Sequence, residues 1–308
     1  MATGANNPGF ACAAVPASLR ALLSGLIDYA GLFPPAKLSL REAAENFLRY
    51  SRGPHAWMLG KFVLPAAQLD AFRDTVAAIP EAAGFAFPLA VLLGGEPARD
   101  AELVRKARDE GNASLSIDAI EFRASTLAVV AEICALFPKE CAVFCEVPLK
   151  EDLSHWLHVI REARALAKIR TGGVTLESFP SSADVAEFIL QCKSQGVGFK
   201  ATAGLHHPVR SEHALTYESG SVCGVMHGFL NVFLGATLVN QGASKEQFVK
   251  ILDDARPESF RVAAESFEWN QVRASTADIA ATRQNFAISF GSCSFEEPIR
   301  DLRKLGLL

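Results

Sequence analysis

The 308-residue chain carries seven cysteines but no CxxC pair or other metal-ligand spacing, which removes zinc-ribbon and dithiol redox motifs from consideration. Cys134 and Cys192 fall in apolar helical runs, where a free thiol behaves as a small hydrophobe, and this usage points to a reducing compartment. A basic stripe is also missing. Lys and Arg total 30 against 34 Asp and Glu, a net charge of −4, so nucleic acid is not expected as a partner. Residues 1–15 have no basic segment ahead of a long apolar core, so no secretory signal is expected and the protein is placed in the cytoplasm. No low-complexity tract or linker divides the sequence, and no dinucleotide-type GxGxxG follows the first strand candidate.

Half of the chain is hydrophobic, enough for one large core, and a single domain over 1–308 is expected. Runs rich in Val, Ile and Phe alternate with amphipathic stretches: 62–65 before 68–78, 89–93 before 98–110, 117–122 before 125–137, and 142–147 before 153–166. Such alternation predicts a parallel sheet, and six or more units predict closure into an α/β barrel of the (β/α)8 TIM type. The last strand candidate, 286–290, runs into Gly291-Ser292-Cys293-Ser294 and a helix over 296–305. An N-terminal segment, 1–20, and an enlarged C-terminal insertion, a helical region at about 210–285, are expected as additions. Within that insertion, 222–239 is apolar and nearly long enough to span a bilayer, but His227, Asn231 and three glycines argue for a buried helix and against a membrane role. The same run is a candidate contact for a homo-oligomer. Residues 254–285 read as polar helix around Phe267-Glu268-Trp269.

Two lysines stand out. Each sits on a short apolar run that ends in small residues, Ala167-Lys168-Ile169-Arg170-Thr171-Gly172-Gly173 and Gly198-Phe199-Lys200-Ala201-Thr202-Ala203-Gly204, with helical sequence at 182–192 between them. A lysine inside a strand that faces a core is costly to bury as a cation, so two in succession suggest a site that uses them. In a parallel barrel the carboxyl ends of the strands form the catalytic face.

The order of motifs resembles that of the class I deoxyribose-phosphate aldolase family. Leu26-Ile27-Asp28-Tyr29 through Pro35 is similar to that family's opening pattern, Ile117-Asp118-Ala119-Ile120 to its strand with a functional aspartate, and Phe144-Cys145-Glu146 to its strand ending in Glu-Thr. The Lys168 and Lys200 segments resemble its two lysine strands, and Phe290 to Ser294 its terminal Phe-Gly-Ala-Ser-Ser turn, so the likeness spans about two thirds of the chain. The departures are Ile169-Arg170 where that family has Thr-Ser, Ala203-Gly204 in place of its double glycine, and a much longer stretch between Lys200 and Phe286. They mark a divergent relative.

The resemblance implies a Schiff-base lyase that makes or breaks a C–C bond in a small carbonyl compound, without a cofactor and without a metal. Lys168 would be the nucleophile, Lys200 the neighbouring amine and Asp118 the acid/base partner. A second ammonium and partial burial disfavour the charged form of a lysine, so Lys200 would activate Lys168. Arg170, Thr171, Gly172, Gly173, Ala203, Gly204, Gly291 and Ser292 would form the end of the pocket that holds a phosphate or carboxylate. Glu146, His206 and Asp28 are further candidates. Two other readings fit the same residues: lysines that snorkel from strand ends into ion pairs with Glu146 or Asp118 on a non-catalytic barrel, and a metal-dependent barrel enzyme using His206, His207, His227 and Glu146.

Overall fold

The structure, a computed structural model, describes residues 15–111 and 113–308. Eight parallel strands close into a barrel: β1 (Ile27–Tyr29), β2 (Leu59–Pro65), β3 (Phe87–Leu92), β4 (Leu115–Arg123), β5 (Ala142–Glu146), β6 (Leu166–Arg170), β7 (Phe199–Thr202) and a last strand at Ala287–Ser292. The last strand lies between β1 and β7 and shuts the ring, with Ile27 opposite Phe290 and Ala201 opposite the same residue. Helices α1 (Ala17–Leu23), α2 (Leu40–Ser51), α3 (Leu69–Ala77), α4 (Pro97–Glu110), α5 (Leu127–Ala135), α6 (Leu153–Glu162) and α7 (Ser182–Gln195) account for the first part of the chain. The expected (β/α)8 architecture is therefore present. Of the expected N-terminal segment, residues 1–14 lie outside the described residues, and the remainder leads into α1, whose Ser18 hydroxyl donates to the Ala263 carbonyl at 2.6 Å.

The side-chain period of two sorts the strands. Ala167 and Ile169 turn outward to the helices, whereas Leu166, Lys168 and Arg170 alternate with them on the inner face; Ala119 and Glu121 on β4, and Ala142, Phe144 and Glu146 on β5, follow the same rule. The floor of the interior is a small apolar plug of Val63, Ala90, Ala119 and Phe144. Charged side chains lie above it. The larger apolar core fills the layer between strands and helices, where an aromatic cluster of Phe47, Phe62, Phe72 and Phe87 packs with ring centroids 4.8 to 6.2 Å apart. Helix starts are fixed by side chains that satisfy free backbone N–H groups: Ser39 with Glu42 opens α2 and Ser181 with Asp184 opens α7 as capping boxes.

The insertion departs from the helical region expected at about 210–285. It begins with an antiparallel hairpin, β8 (Ser211–Ala214) and β9 (Cys223–Met226), continues with α8 (Phe229–Asn240) and α9 (Lys245–Asp253), forms a three-stranded sheet from β10 (Phe260–Val262), β11 (Ser266–Trp269) and β12 (Val272–Ser275), and ends with α10 (Thr276–Asn285), after which come β13 (Ala287–Ser292), the last barrel strand, and α11 (Glu296–Lys304). The alternation of β11, with Phe267 and Trp269 buried and Glu268 paired to Arg273, has strand period, which outweighs the polar-helix reading of that stretch. Helix α8 is buried on every side, with Phe229 stacked on Phe290 at 5.4 Å and Phe233 near Phe199 at 6.3 Å. It is a core helix whose apolar surface is spent inside the chain, whereas Val222 and Val225 at the head of the same apolar run are exposed. Among the described residues, no helix is long and apolar enough to cross a membrane.

Candidate active site

Lys168, the middle residue of β6, and Lys200, the second residue of β7, face each other across adjacent strands, in register. Both side chains point into the barrel and both are buried, at 3% and 1% exposure. Glu121, 2% exposed, joins them: its Oε2 lies 2.8 Å from Lys168 Nζ, and its Oε1 accepts a hydrogen bond from Lys200 Nζ. Asp28 of β1 completes the inner layer. Its Oδ2 lies 2.7 Å from Lys200 Nζ and accepts from Ser289 Oγ at 2.7 Å, while its Oδ1 accepts the Lys61 backbone N–H at 2.8 Å. Glu146 sits one step toward the mouth, 3.4 Å from Lys168 Nζ and 3.3 Å from Arg170 Nε. Lys200 also lies over the Phe144 ring, 5.4 Å from its centroid.

Burial alone would raise the Glu121 carboxyl, but the two ammoniums overturn that and hold it down at about 2. Glu146 is likewise held below the usual carboxylate range by Lys168 and Arg170 against the opposing effect of burial. For Lys200, burial opposes the charge, and the Asp28 and Glu121 carboxylates win, pushing the amine above the ordinary lysine value. Lys200 is thus a fixed cation. A cavity of about 360 Å³ opens above this layer, and Glu121, Lys168, Arg170, His206, Tyr217 and Cys293 are among its lining residues. Lys168 is the one lysine among its described lining residues. The hairpin of β8 and β9 supplies a wall through Ala214, Leu215, Tyr217 and Met226, so the insertion shapes the mouth of the barrel.

Of the residues expected at the site, Asp118 is not brought to it. It lies exposed toward the amino end of β4, where it accepts from Ser116 Oγ at 2.6 Å. The ladder between β3 and β4 slips by one residue at Asp118, with Leu89 opposite Ile117 and Ala90 opposite Ala119, so Asp118 falls outside the inward alternation that carries Ala119 and Glu121. Glu121 takes the place given to Asp118. Arg170, Gly173, Ala203, Gly204 and Gly291 do line the cavity, Arg170 half exposed at its rim. Thr171, Gly172 and Ser292 serve the backbone instead. Thr171 Oγ1 donates to the Ala203 carbonyl at 2.6 Å, and Ser292 Oγ donates to the Ser294 carbonyl at 2.7 Å within its own turn.

Gly172 and Gly204 lock the two lysine strands' loops together. A Cβ on Gly204 would meet Gly172 Cα at 2.8 Å and the Thr171 carbonyl at 3.0 Å, and its φ of +75° is a conformation that side chains disfavour. Gly204→Ala is therefore expected to cost about 1–3 kcal/mol of stability, measured by urea unfolding, and to raise proteolytic cleavage in the loops after β6 and β7. Unchanged unfolding midpoints would show that these loops are not tightly coupled.

The histidines separate. His206 Nδ1 lies 2.9 Å from Glu297 Oε2, and His207 Nδ1 lies 2.6 Å from Asp301 Oδ2, with the two rings 6.3 Å apart. His207 stacks on His213 at 3.3 Å, and burial pushes it down to about 4. His227 Nε2 contacts the Pro180 carbonyl at 2.9 Å, and Glu146 belongs to the lysine cluster. The four residues of the metal reading do not converge, and no group of three or more His, Cys, Asp or Glu side chains arranged to hold a metal ion occurs among the described residues. Glu121 could have been found from the sequence, since it falls two residues after Ala119 near the end of an apolar strand. Ser289, Tyr217, Cys293 and Glu297 carried no such signal. No protein-family model matches the chain, and no curated protein matches its sequence at a significant level.

Proposed function

We propose that the protein is a Schiff-base lyase of the class I aldolase type, acting on a small carbonyl compound, with Lys168 as the nucleophile. The observation that carries this reading is the placement of Lys168: a buried amine on the inner face of barrel strand β6, facing a cavity of substrate size, with Lys200 held protonated behind it. Lys200 is the weaker candidate for attack because it does not line the cavity and is locked between two carboxylates.

The charge of the cluster suits the chemistry. When a lysine condenses with a ketone or aldehyde, ammonium and carbonyl give a protonated imine and water, so the positive charge stays on the same nitrogen. Carboxylates that pair with the ammonium of Lys168 therefore also pair with the iminium. Glu121, 2.8 Å from Nζ, is placed to pass the departing proton toward the carbonyl oxygen as it leaves as water. The iminium then accepts the electron pair of the C–C bond that breaks, giving an enamine. Arg170 at the rim, with Gly173, Gly204 and Gly291, suits a substrate that carries a carboxylate or phosphate at its far end.

The test is reduction with borohydride in the presence of a panel of small aldehydes and ketones, read by intact and peptide mass spectrometry. The expected product is a single covalent adduct on Lys168. Labelling of Lys200 alone would reverse the assignment, and no labelled lysine across the panel would remove Schiff-base chemistry from this site.

A further inference from the structure

The lining of the cavity also holds a group of polar side chains that the Schiff-base chemistry does not use. Cys293 follows β13 directly, lines the cavity and is 6% exposed. His206 Nε2 lies 4.0 Å from Cys293 Sγ, and His206 Nδ1 lies 2.9 Å from Glu297 Oε2. Tyr217, reaching in from the loop between β8 and β9, places its hydroxyl 3.7 Å from the same sulfur. An ionised carboxylate only accepts hydrogen bonds, so Glu297 fixes a proton on Nδ1 and turns Nε2 toward the thiol. The arrangement is a nucleophile, a base within reach of it, and a third group that orients the base.

We propose that Cys293, His206 and Glu297 form a second nucleophilic centre in the barrel mouth, one that accepts an acyl group from a thioester or activated ester. The proton of the thiol is held on His206 Nε2 as sulfur attacks the acyl carbon; the C–S bond forms and the carbonyl π pair moves to oxygen. The oxyanion re-forms the carbonyl and expels the alkoxide or thiolate, which takes the proton from Nε2, leaving the acyl group on Cys293 as a thioester. Water, giving its proton to Nε2, then releases the acid and returns the free thiol. The Tyr217 hydroxyl stands beside the sulfur as a donor to the oxyanion. Burial opposes a charged His206, yet its hydrogen bonds to Cys293 and Glu297 drive it up to about 10, so at neutral pH the ring already holds the proton that the sulfur must give up. Glu297 is itself held below the usual carboxylate range, its contacts with His206 outweighing burial.

The centre differs from the other described cysteines. Cys134, Cys145 and Cys192 are pushed up by burial in apolar surroundings, Cys141 is also raised by burial, and Cys223 is an exposed thiol on β9 that serves as an internal reference. With the full-length protein and p-nitrophenyl acetate, the expected result is a stoichiometric burst of nitrophenolate with the acetyl group mapped to Cys293 by peptide mass spectrometry. Iodoacetamide at neutral pH is expected to label Cys293 at least tenfold faster than Cys223. Cys293→Ala should remove the burst. His206→Ala should slow it by more than tenfold, with added imidazole restoring part of the rate, and Glu297→Asp should retain more of it than Glu297→Gln, two readouts that a purely structural role would not move. Acetylation elsewhere with Cys293 left free, or alkylation of Cys293 no faster than Cys223, would overturn the proposal; both measurements use the unmodified protein and do not depend on any variant folding.

Discussion

Lys168→Arg is expected to abolish the borohydride-reducible adduct while leaving the barrel folded. A guanidinium keeps the positive charge that Glu121 and Glu146 pair with, at 2.8 and 3.4 Å in the native protein, but it stays protonated and cannot add to a carbonyl. The loss should therefore be complete at any practical pH. Lys200→Met is expected to behave differently, lowering the trapping rate roughly a hundredfold at neutral pH without removing it. The reason lies in Glu121. With Lys200 present, that carboxylate is shared between two ammoniums. Without it, the whole of the charge falls on Lys168, and the free amine needed for attack becomes harder to reach. Intact-mass kinetics of adduct formation across pH 6 to 10 would show the difference, the Lys200 variant recovering as the pH rises. Equal and complete loss in both variants would mean that Lys200 is needed for more than its charge, and full activity in Lys168→Arg would sink the Schiff-base assignment.

The barrel was legible because its strands are long enough to show their composition. β2 to β6 carry Val, Ile, Leu and Phe runs of five to nine residues, each followed by a stretch with helical period. β1 has three residues, all buried, which is too short for any periodic signal. β11 was hidden for another reason: a strand whose inner face is aromatic and whose outer face is charged, at Phe267, Glu268 and Trp269, looks locally like one turn of amphipathic helix. The lysines could be located because a charged residue is conspicuous inside an apolar run. Choosing their partner was harder. Asp118 and Glu121 belong to the same strand, and a one-residue slip of the β3–β4 ladder at Asp118 leaves only Ala119 and Glu121 in the inward alternation. His206, Cys293 and Glu297 come from the loop after β7, the residue after β13 and the first turn of α11. Their convergence depends on ring closure between β13 and β7, a contact between residues about 90 positions apart that no local pattern encodes.

Glu121→Gln is expected to lower the unfolding free energy at neutral pH by about 3–5 kcal/mol, the usual cost of removing one partner from a buried ion cluster. The amide leaves the Lys168 and Lys200 ammoniums beside a group that cannot balance their charge, at a depth where water does not replace it. The pH dependence gives a second signature. A carboxyl held at about 2 in the fold but near 4.5 in the unfolded chain contributes stability that is fully present above pH 4.5 and is lost as the pH falls through about 2. For Glu121 that contribution is on the order of 3 kcal/mol. Lys200, raised in the fold, acts with the opposite sign: its contribution is full below the ordinary lysine value near 10.5 and is lost only as the pH rises beyond it. Native stability should therefore include a plateau contribution from this cluster between about pH 5 and 10 and fall on the acid side. In Glu121→Gln the part of the acid limb that belongs to Glu121 should vanish, leaving the shallower fall due to Glu146 and Asp301, both also held low. Urea unfolding at pH 2.5, 4, 5.5 and 7 measures both quantities. A variant within 1 kcal/mol of the native protein at pH 7, or one with an unchanged acid limb, would show that Glu121 does not hold the two lysines as an ion cluster in solution.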